Sequence, residues 1–346
     1  MEKANAKREN VNEEQKYAGG TGGHANGARE YAIGVDVGGT KINAGWISSD
    51  GEVLLHHTIP TAAGQGRVMD RILQAIEAVH ADKDQLPEGA VFAGIGVGTA
   101  GQVDAATGAI RFASDLLPGY TGTKVKQEIE EKYGVPTFVD NDVNVLAWTE
   151  LKLGAGRGAR HLICLALGTG VGGAIVVDGK LVHGTWGGAA ELGHLSVDFN
   201  GLPCVCGGIG CLEQYASGTG IAKRMQMKLD AAREAGQHHP ASADSGQVDA
   251  KQVVTLWQAG DALATEVMDE TFAALGAAIA SLAHVFNPEV IVIGGGVAEA
   301  GEPIFTRIRE EANKRGMRSF MEDLRIVPAY QGNWSGMIGA ALQVWA

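Results

Sequence analysis

One histidine and three cysteines, His194, Cys204, Cys206 and Cys211, fall within eighteen residues of the stretch ELGHLSVDFNGLPCVCGGIGCLE, which spans Glu191 to Glu213. Glycines at 207, 208 and 210 allow the backbone to curl tightly between the last two sulfurs. Three thiolates and an imidazole complete a tetrahedral zinc set, with Zn–S of about 2.3 Å and Zn–N of about 2.0 Å. Four protein ligands leave no open position for water, so a metal here is structural and performs no chemistry. A structural zinc contributes about 10–16 kcal/mol in small peptides. That matches the whole stability of a domain, about 5–15 kcal/mol, and can hold a polar loop rigid. The cluster is flanked by two carboxylates, Glu191 and Glu213, and the metal is expected to position them.

The length of 346 residues suggests two domains, each with its own core. A net charge of −12 argues against a nucleic-acid partner, which needs a clustered basic face. Cys164, the one cysteine outside the cluster, lies in the apolar run HLICLALG and reads as a core residue. Reduced thiols imply the cytoplasm. No run reaches eighteen apolar residues and the N-terminus lacks an apolar leader, so neither a membrane span nor a signal peptide is expected.

Residues 1–29 are polar and end in GGTGGHANGAR, too poor in apolar surface to offset the entropy of ordering, and read as a disordered tail with at most a short helix over Glu2–Lys16. YAIGVDVGGTKINAGWIS reads as strand, Gly-rich turn, strand, with Gly38 and Gly39 supplying positive φ for a tight hairpin. GEVLLHHTIP adds a third strand. Arg67–His80 has helical apolar spacing, VFAGIGVGTAG is a buried strand, Lys124–Tyr133 an amphipathic helix, and TFVDNDVNVLAW a strand running into a helix. HLICLALGTGVGGAIVVDGKLV begins a second cycle that echoes residues 32–48, so two copies of one αβ unit would give two lobes. Residues 235–250 read as a surface loop, Asp261–Phe286 as a long helix, VIVIGGGVAEAG as a buried strand leading to a helix, and GMIGAALQVW as a closing helix.

Four stretches are suited to carry chemistry. The turn Asp36-Val-Gly38-Gly39-Thr40-Lys41 can form an anion-binding nest of backbone N–H groups, to which Thr40 adds a hydroxyl and Lys41 a charge. The Asp36 carboxylate suits Mg²⁺, usually through water. A second glycine cluster occupies Gly168-Thr169-Gly170-Val171-Gly172-Gly173, and a third, Gly294-Gly295-Gly296, sits at a strand-to-helix junction. No Walker A sequence is present. In Val139-Asp140-Asn141-Asp142-Val143-Asn144, two carboxylates at i and i+2 on a strand point the same way, and geometry alone does not choose between Asp140 and Asp142.

ELGH followed by CxCGxxGCxE is similar to the signature of the ROK family, whose name joins repressors, open reading frames and sugar kinases. Collinear motifs extend the resemblance from about Tyr31 to the C-terminus. It implies a two-lobed α/β fold of the actin-like ATPase (ribonuclease H-like) class, with an interdomain cleft and a zinc-bound loop. The lobes would be residues 30–145, rejoined by a C-terminal helix over 333–346, and residues 146–332. By the same resemblance Asp36, Gly38, Gly39, Thr40 and Lys41 form the first phosphate hairpin for ATP and Gly168, Thr169, Gly170 and Gly172 the second, while Gly294, Gly295 and Gly296 approach the adenosine. Asp142 becomes the catalytic base, and Gly101, Asn141, Asp142, Glu191, His194 and Glu213 contact a neutral hexose. The family usually carries Glu where this chain has Asp140, and Pro-Gly where it has Ala100-Gly101.

The activity implied is ATP-dependent phosphorylation of the 6-hydroxyl of a hexose, glucose first, with Mg²⁺, a structural Zn²⁺ and a homodimer or homotetramer. Small residues at Gly187, Gly188, Ala189 and Ala190 leave room for a 2-acetamido group and keep N-acetylglucosamine and N-acetylmannosamine open as substrates, and fructose stands as a further alternative within the family. From another class, a non-catalytic sugar-responsive regulator stands as the rival. Family repressors carry a DNA-binding segment ahead of the first hairpin, where this chain has about thirty Gly-rich residues, and the intact Asp36, Gly39 and Asp142 favour turnover.

Overall fold

A computed structural model describes residues 29–237, 239, 241, 248–330 and 334–346. The expected tail up to residue 28, with its short helix, and half of the expected loop over 235–250 lie outside the described residues. The chain opens with three strands, β1 (Glu30–Val37), β2 (Lys41–Ser48) and β3 (Val53–Pro60), then helix α1 (Val68–His80) and β4 (Val91–Thr99). A small β5–β6 pair (Gln102–Val103, Ile110–Phe112), α2 (Val125–Tyr133), β7 (Thr137–Asn141) and α3 (Asp142–Lys152) follow. The second cycle contains β8 (Leu162–Leu167), β9 (Val171–Val177) and β10 (Lys180–Leu181). Helices α4 (Glu213–Ala216), α5 (Gly218–Glu234), α6 (Ala250–Gln258) and α7 (Ala262–Phe286) come next. After them run β11 (Val290–Gly294), α8 (Glu302–Arg315), α9 (Arg318–Met321), β12 (Arg325–Pro328) and α10 (Ser335–Leu342).

The chain divides into two compact units. One contains the described residues up to Gly154, the segment His183–Ala189 and the end of the chain, Tyr330–Ala346; the other contains Ala155–Val182 and Ala190–Ala329. Each is built on a five-stranded sheet. The first is ordered β3-β2-β1-β4-β7 and the second β10-β9-β8-β11-β12. In both, three antiparallel strands continue into two parallel ones. The sequence echo between residues 32–48 and the second cycle is therefore a repeat of topology.

The core of the first unit has Ile33, Val35, Ile42, Trp46, Ile72, Ile76, Ile95 and Val97 at its centre. Helix α1 covers one face of the sheet with Met69, Ile72, Ile76 and Val79. The other face is closed by α10, and a glycine row makes this possible. Gly45, Gly34 and Gly96 are direct neighbours across β2, β1 and β4. A Cβ at Gly34 would strike the Met337 carbonyl oxygen, and one at Gly96 the Ala340 carbonyl oxygen. On the helix, a Cβ at Gly339 would strike the Val145 carbonyl oxygen of α3. The last helix thus lies backbone against backbone on the first sheet. In the second unit α7 is buried along one stripe from Ala264 to Ala283, capped by Asp261 and ended by Asn287 in the left-handed conformation.

Two local expectations are corrected. Neither Gly38 nor Gly39 has positive φ. The β1–β2 turn spans three residues and closes by Gly38 N–H donating to Lys41 O at 3.0 Å, a geometry without the left-handed residues of a two-residue hairpin. Asp142 is also not on a strand beside Asp140. β7 ends at Asn141, and Asp142 is the first residue of α3. The Asn141 side chain accepts the Val143 N–H at 2.9 Å and so starts the helix there, which ends the period-2 alternation one residue early.

Candidate active site and metal centre

In the first unit the strand-to-helix junction places Asp142 at the N-terminus of α3, where backbone dipoles favour a negative charge. Burial, and then the charge of Asp36, nevertheless push its carboxyl up to about 6. Asp36, at the end of β1, is raised by burial and held by a hydrogen bond from Asn43 Nδ2 at 3.1 Å. The Asn141 side chain is engaged at both ends, since it caps α3 and donates from Nδ2 to Gly101 O at 3.1 Å. One N–H and one lone pair remain for a ligand. Gly101 has φ of 104°, and a Cβ there would lie 2.7 Å from Phe112 O, so the loop before β5 requires glycine. Asp140, the alternative carboxylate, is buried and committed to three donors: Asn141 N–H at 2.8 Å, Asn144 Nδ2 at 2.7 Å and His183 Nε2 at 2.6 Å. Thr40 and Lys41 are exposed beside the first turn.

In the second unit the turn after β8 is closed by Gly168 N–H donating to Gly170 O at 3.0 Å, and the Gly168 carbonyl accepts the Gly218 N–H at the start of α5 at 2.8 Å. Gly168, Thr169 and Gly296 line a cavity of about 1330 Å³ together with Thr219, Lys223, Lys251 and Val297. Gly294 and Gly295 are not among its lining residues. Gly295 has φ of 90°, and a Cβ there would lie 2.5 Å from Leu167 O, so it seats the end of β11 against β8. Gly172 lies within β9 opposite Ala166. The α5 and α6 contributions to this cavity went unread in the sequence, although Gly218 and Gly220 at the head of α5 were a visible sign of close packing.

The four metal-ligand candidates converge. The ligating atoms of His194, Cys204, Cys206 and Cys211 lie within 4.8 Å of one another. Cys204 Sγ is 3.7 Å from His194 Nδ1, and the sulfurs of Cys206 and Cys211 are 3.6 Å apart. A tetrahedral zinc requires about 3.6 Å between sulfur and nitrogen and about 3.8 Å between sulfurs, by the ordinary bond lengths. The cysteines are free thiols. The residues therefore fit a tetrahedral ion. Gln214 Nε2 donates to Cys204 Sγ at 3.5 Å, a support the motif did not reveal. Tyr215 ties the same loop from behind, donating to Asp198 Oδ2 at 3.0 Å and accepting the Leu202 N–H at 3.2 Å.

Of the flanking carboxylates, Glu191 is exposed and its carbonyl accepts the His194 N–H at 3.0 Å, which forms the short turn that aims the imidazole. Glu213 opens α4, and its Oε2 accepts the Val171 N–H of β9 at 3.0 Å. A Cβ at Gly170 would lie 2.5 Å from that oxygen. Glu213 thus packs directly on Gly170 and joins the candidate metal loop to the second glycine turn.

A family model described as ROK family matches residues 32–346. The chain is 37% identical over 326 residues to the glucokinase of Halalkalibacterium halodurans, covering 89% of this chain and 93% of that protein. Among solved structures it is similar to a ROK family glucokinase from Streptomyces griseus in complex with glucose and AMPPNP, at TM-score 0.71 and 33% identity over 90% of this chain and 98% of that one. A ROK hexokinase from Thermus thermophilus gives a TM-score of 0.76 at 32% identity, over 91% of this chain and 98% of that one. The two-sheet α/β architecture is that of these sugar kinases, the actin-like fold expected from the motifs. With nearly the whole described length matched and its metal, carboxylate and glycine motifs in place, this chain is a member of the ROK family.

Proposed function

We propose that this chain is an ATP-dependent hexose kinase that converts glucose to glucose 6-phosphate, with Asp142 as the general base. The observation that carries this reading is the state of Asp142: a carboxyl with its pKa raised to about 6, at a helix N-terminus next to the capping Asn141. It belongs to a chain whose relatives include glucokinases. A base of that strength is ionised at neutral pH and still able to take a proton.

The sugar 6-hydroxyl attacks the γ-phosphorus while Asp142 accepts its proton. The new O–P bond forms as the bond from the γ-phosphorus to the β–γ bridging oxygen breaks, and ADP leaves. The backbone N–H groups that the two turns leave over beside Gly39, Thr40 and Thr169, with the Lys41 charge, receive the phosphates. Asp36 would hold Mg²⁺, which would neutralise phosphate charge when bound with ATP. The cavity beside Gly168 and Gly296 receives the nucleoside. Asn141, Glu191, His194 and Glu213 hydrogen-bond the other hydroxyls, a set dominated by acceptors that suits a neutral polyol and repels anions. His194, Cys204, Cys206 and Cys211 would hold zinc, which would keep the loop carrying His194 in place. Because Nδ1 faces the sulfurs, the Nε2 side of the ring is the one open to a hydroxyl. Glu213 reaches the sugar through whichever lone pairs Val171 leaves it.

The test is ADP release with glucose, mannose, fructose, N-acetylglucosamine and N-acetylmannosamine at one ATP concentration. Glucose should give the highest kcat/KM. Another sugar exceeding it tenfold, about 1.4 kcal/mol in transition-state binding, would remove the glucose assignment. No release with any of them would remove the kinase.

A further inference from the structure

Asp140 stands immediately before the Asn141–Asp142 pair, yet nothing in the proposed chemistry uses it. The residue is only 7% exposed. One oxygen accepts Asn141 N–H and Asn144 Nδ2, and the other faces His183 Nε2 at 2.6 Å. A buried carboxylate persists where donors replace its water, and here the donors come from three places: its own strand end, the first turn of α3, and a residue 43 positions further along the chain.

His183 opens a compact turn. Its carbonyl accepts the N–H of Gly187 at 2.9 Å and of Ala189 at 3.3 Å. The turn is seated by other contacts within the first unit. Ala105 N–H donates to Trp186 O at 2.9 Å, and the Arg111 guanidinium lies 4.6 Å above the Trp186 ring. Gly187 packs so closely on Val103 that a Cβ would strike its carbonyl oxygen. In the chain the turn leads within two residues to Glu191. His183 therefore ties this turn directly to the strand end that delivers Asp142.

We propose that Asp140 and His183 form a positioning pair that fixes the Asn141–Asp142 junction and the turn leading to Glu191, so that it governs sugar turnover and leaves nucleotide affinity untouched. This rests on the hexose-kinase reading above. The pair touches no reacting atom. It acts through the backbone of Asn141, and a displacement of about 1 Å at a reacting group can cost about a hundredfold in rate. The hydrogen bond to Asp140 raises the His183 imidazole above its ordinary value, which favours the charge-assisted form of the bond.

The experiment compares His183→Gln, His183→Asn and His183→Leu in the full chain. The Gln amide nitrogen reaches the position of Nε2, the Asn amide falls short by about one bond, and Leu donates nothing. The Gln variant should keep kcat/KM for the hexose within about threefold. Asn and Leu should lose about ten- to a hundredfold, through kcat and the sugar KM, while the ATP KM stays within about twofold. If the Leu variant fails to fold, by circular dichroism, the Gln–Asn contrast decides. Wild-type kcat and sugar KM in the Asn variant would overturn the proposal, as would an ATP KM that rises in parallel with the sugar KM. A wild-type chain that transfers phosphate to no neutral hexose overturns the kinase reading, and this role with it. An active wild type with indifferent variants overturns the positioning role alone.

Discussion

Asp36 lies close enough to Asp142 to add its charge to burial, the larger effect, in pushing the Asp142 carboxyl up to about 6 from an ordinary 3.8. A raised carboxyl binds its proton more tightly in the folded than in the unfolded chain. The stability it contributes is therefore complete below about pH 4 and is lost as pH rises toward 6. The interval corresponds to about 3 kcal/mol. Asp142→Asn should accordingly stabilise the nucleotide-free, cation-free protein at pH 7–8 by up to that order, while lowering kcat by about 10²–10⁴. Wild-type kcat/KM should fall on the acid side with an apparent pKa near 6. Urea unfolding at pH 4.5 and 7.5 and a pH–rate profile check both; a destabilised Asn variant, or full activity at pH 4.5, would contradict the assignment.

The metal centre should hold one zinc per chain. Cys206→Ser, or removal of the ion by a strong chelator, should raise the sugar KM by more than about tenfold, since His194 loses its anchor and only hydrogen bonds are left to hold the loop. Elemental analysis beside a sugar titration decides this. A fully active preparation with well under one equivalent of metal would sink the structural role.

Gly96 should not tolerate a side chain. A Cβ there meets the Ala340 carbonyl oxygen, and backbone cannot rotate aside as a side chain can. Gly96→Ala should cost about 1–3 kcal/mol or more by forcing α10 off the sheet. Gly119→Ala, where no atom lies within 4 Å of the new Cβ, should cost less, owing to its φ of 73° alone. Denaturation midpoints of the two variants test the contrast, and equal losses would refute it.

Ala190 has φ of 65°, a conformation in which a Cβ is strained, immediately before Glu191. Ala190→Gly relieves that strain but adds freedom to the unfolded chain, so a net gain of about 0.5–1 kcal/mol is expected. Thermal unfolding reads it; a loss of stability would show that the Ala190 methyl makes packing contacts worth more than the strain.

The sequence by itself determined what depends on neighbours along the chain. Four candidate metal ligands within eighteen residues converge because short loops between them leave few ways to fold around an ion. The strand–turn–strand repeats, the long α7 and the glycine turns follow from apolar spacing and turn chemistry. Local reasoning failed where one residue tipped the balance. Period-2 alternation carries Asp142 onto the strand, but the Asn141 cap begins α3 at that point. The β1–β2 turn needed three residues and no positive φ, which two adjacent glycines do not announce.

Only the tertiary structure decided the contacts between distant parts of the chain. Gly34, Gly45 and Gly96 look like unrelated strand glycines until register aligns them, and the helix that needs them arrives about 240 residues after Gly96. Asp140 could not be told from Asp142 by spacing; its commitment to His183 separates them. The Val171 N–H next to Gly170 is met by Glu213, 42 residues later. Short-range order follows from propensity and spacing, which a sequence displays. Close approach and the pairing of buried charges depend on which surfaces the fold brings together, and no local pattern encodes that.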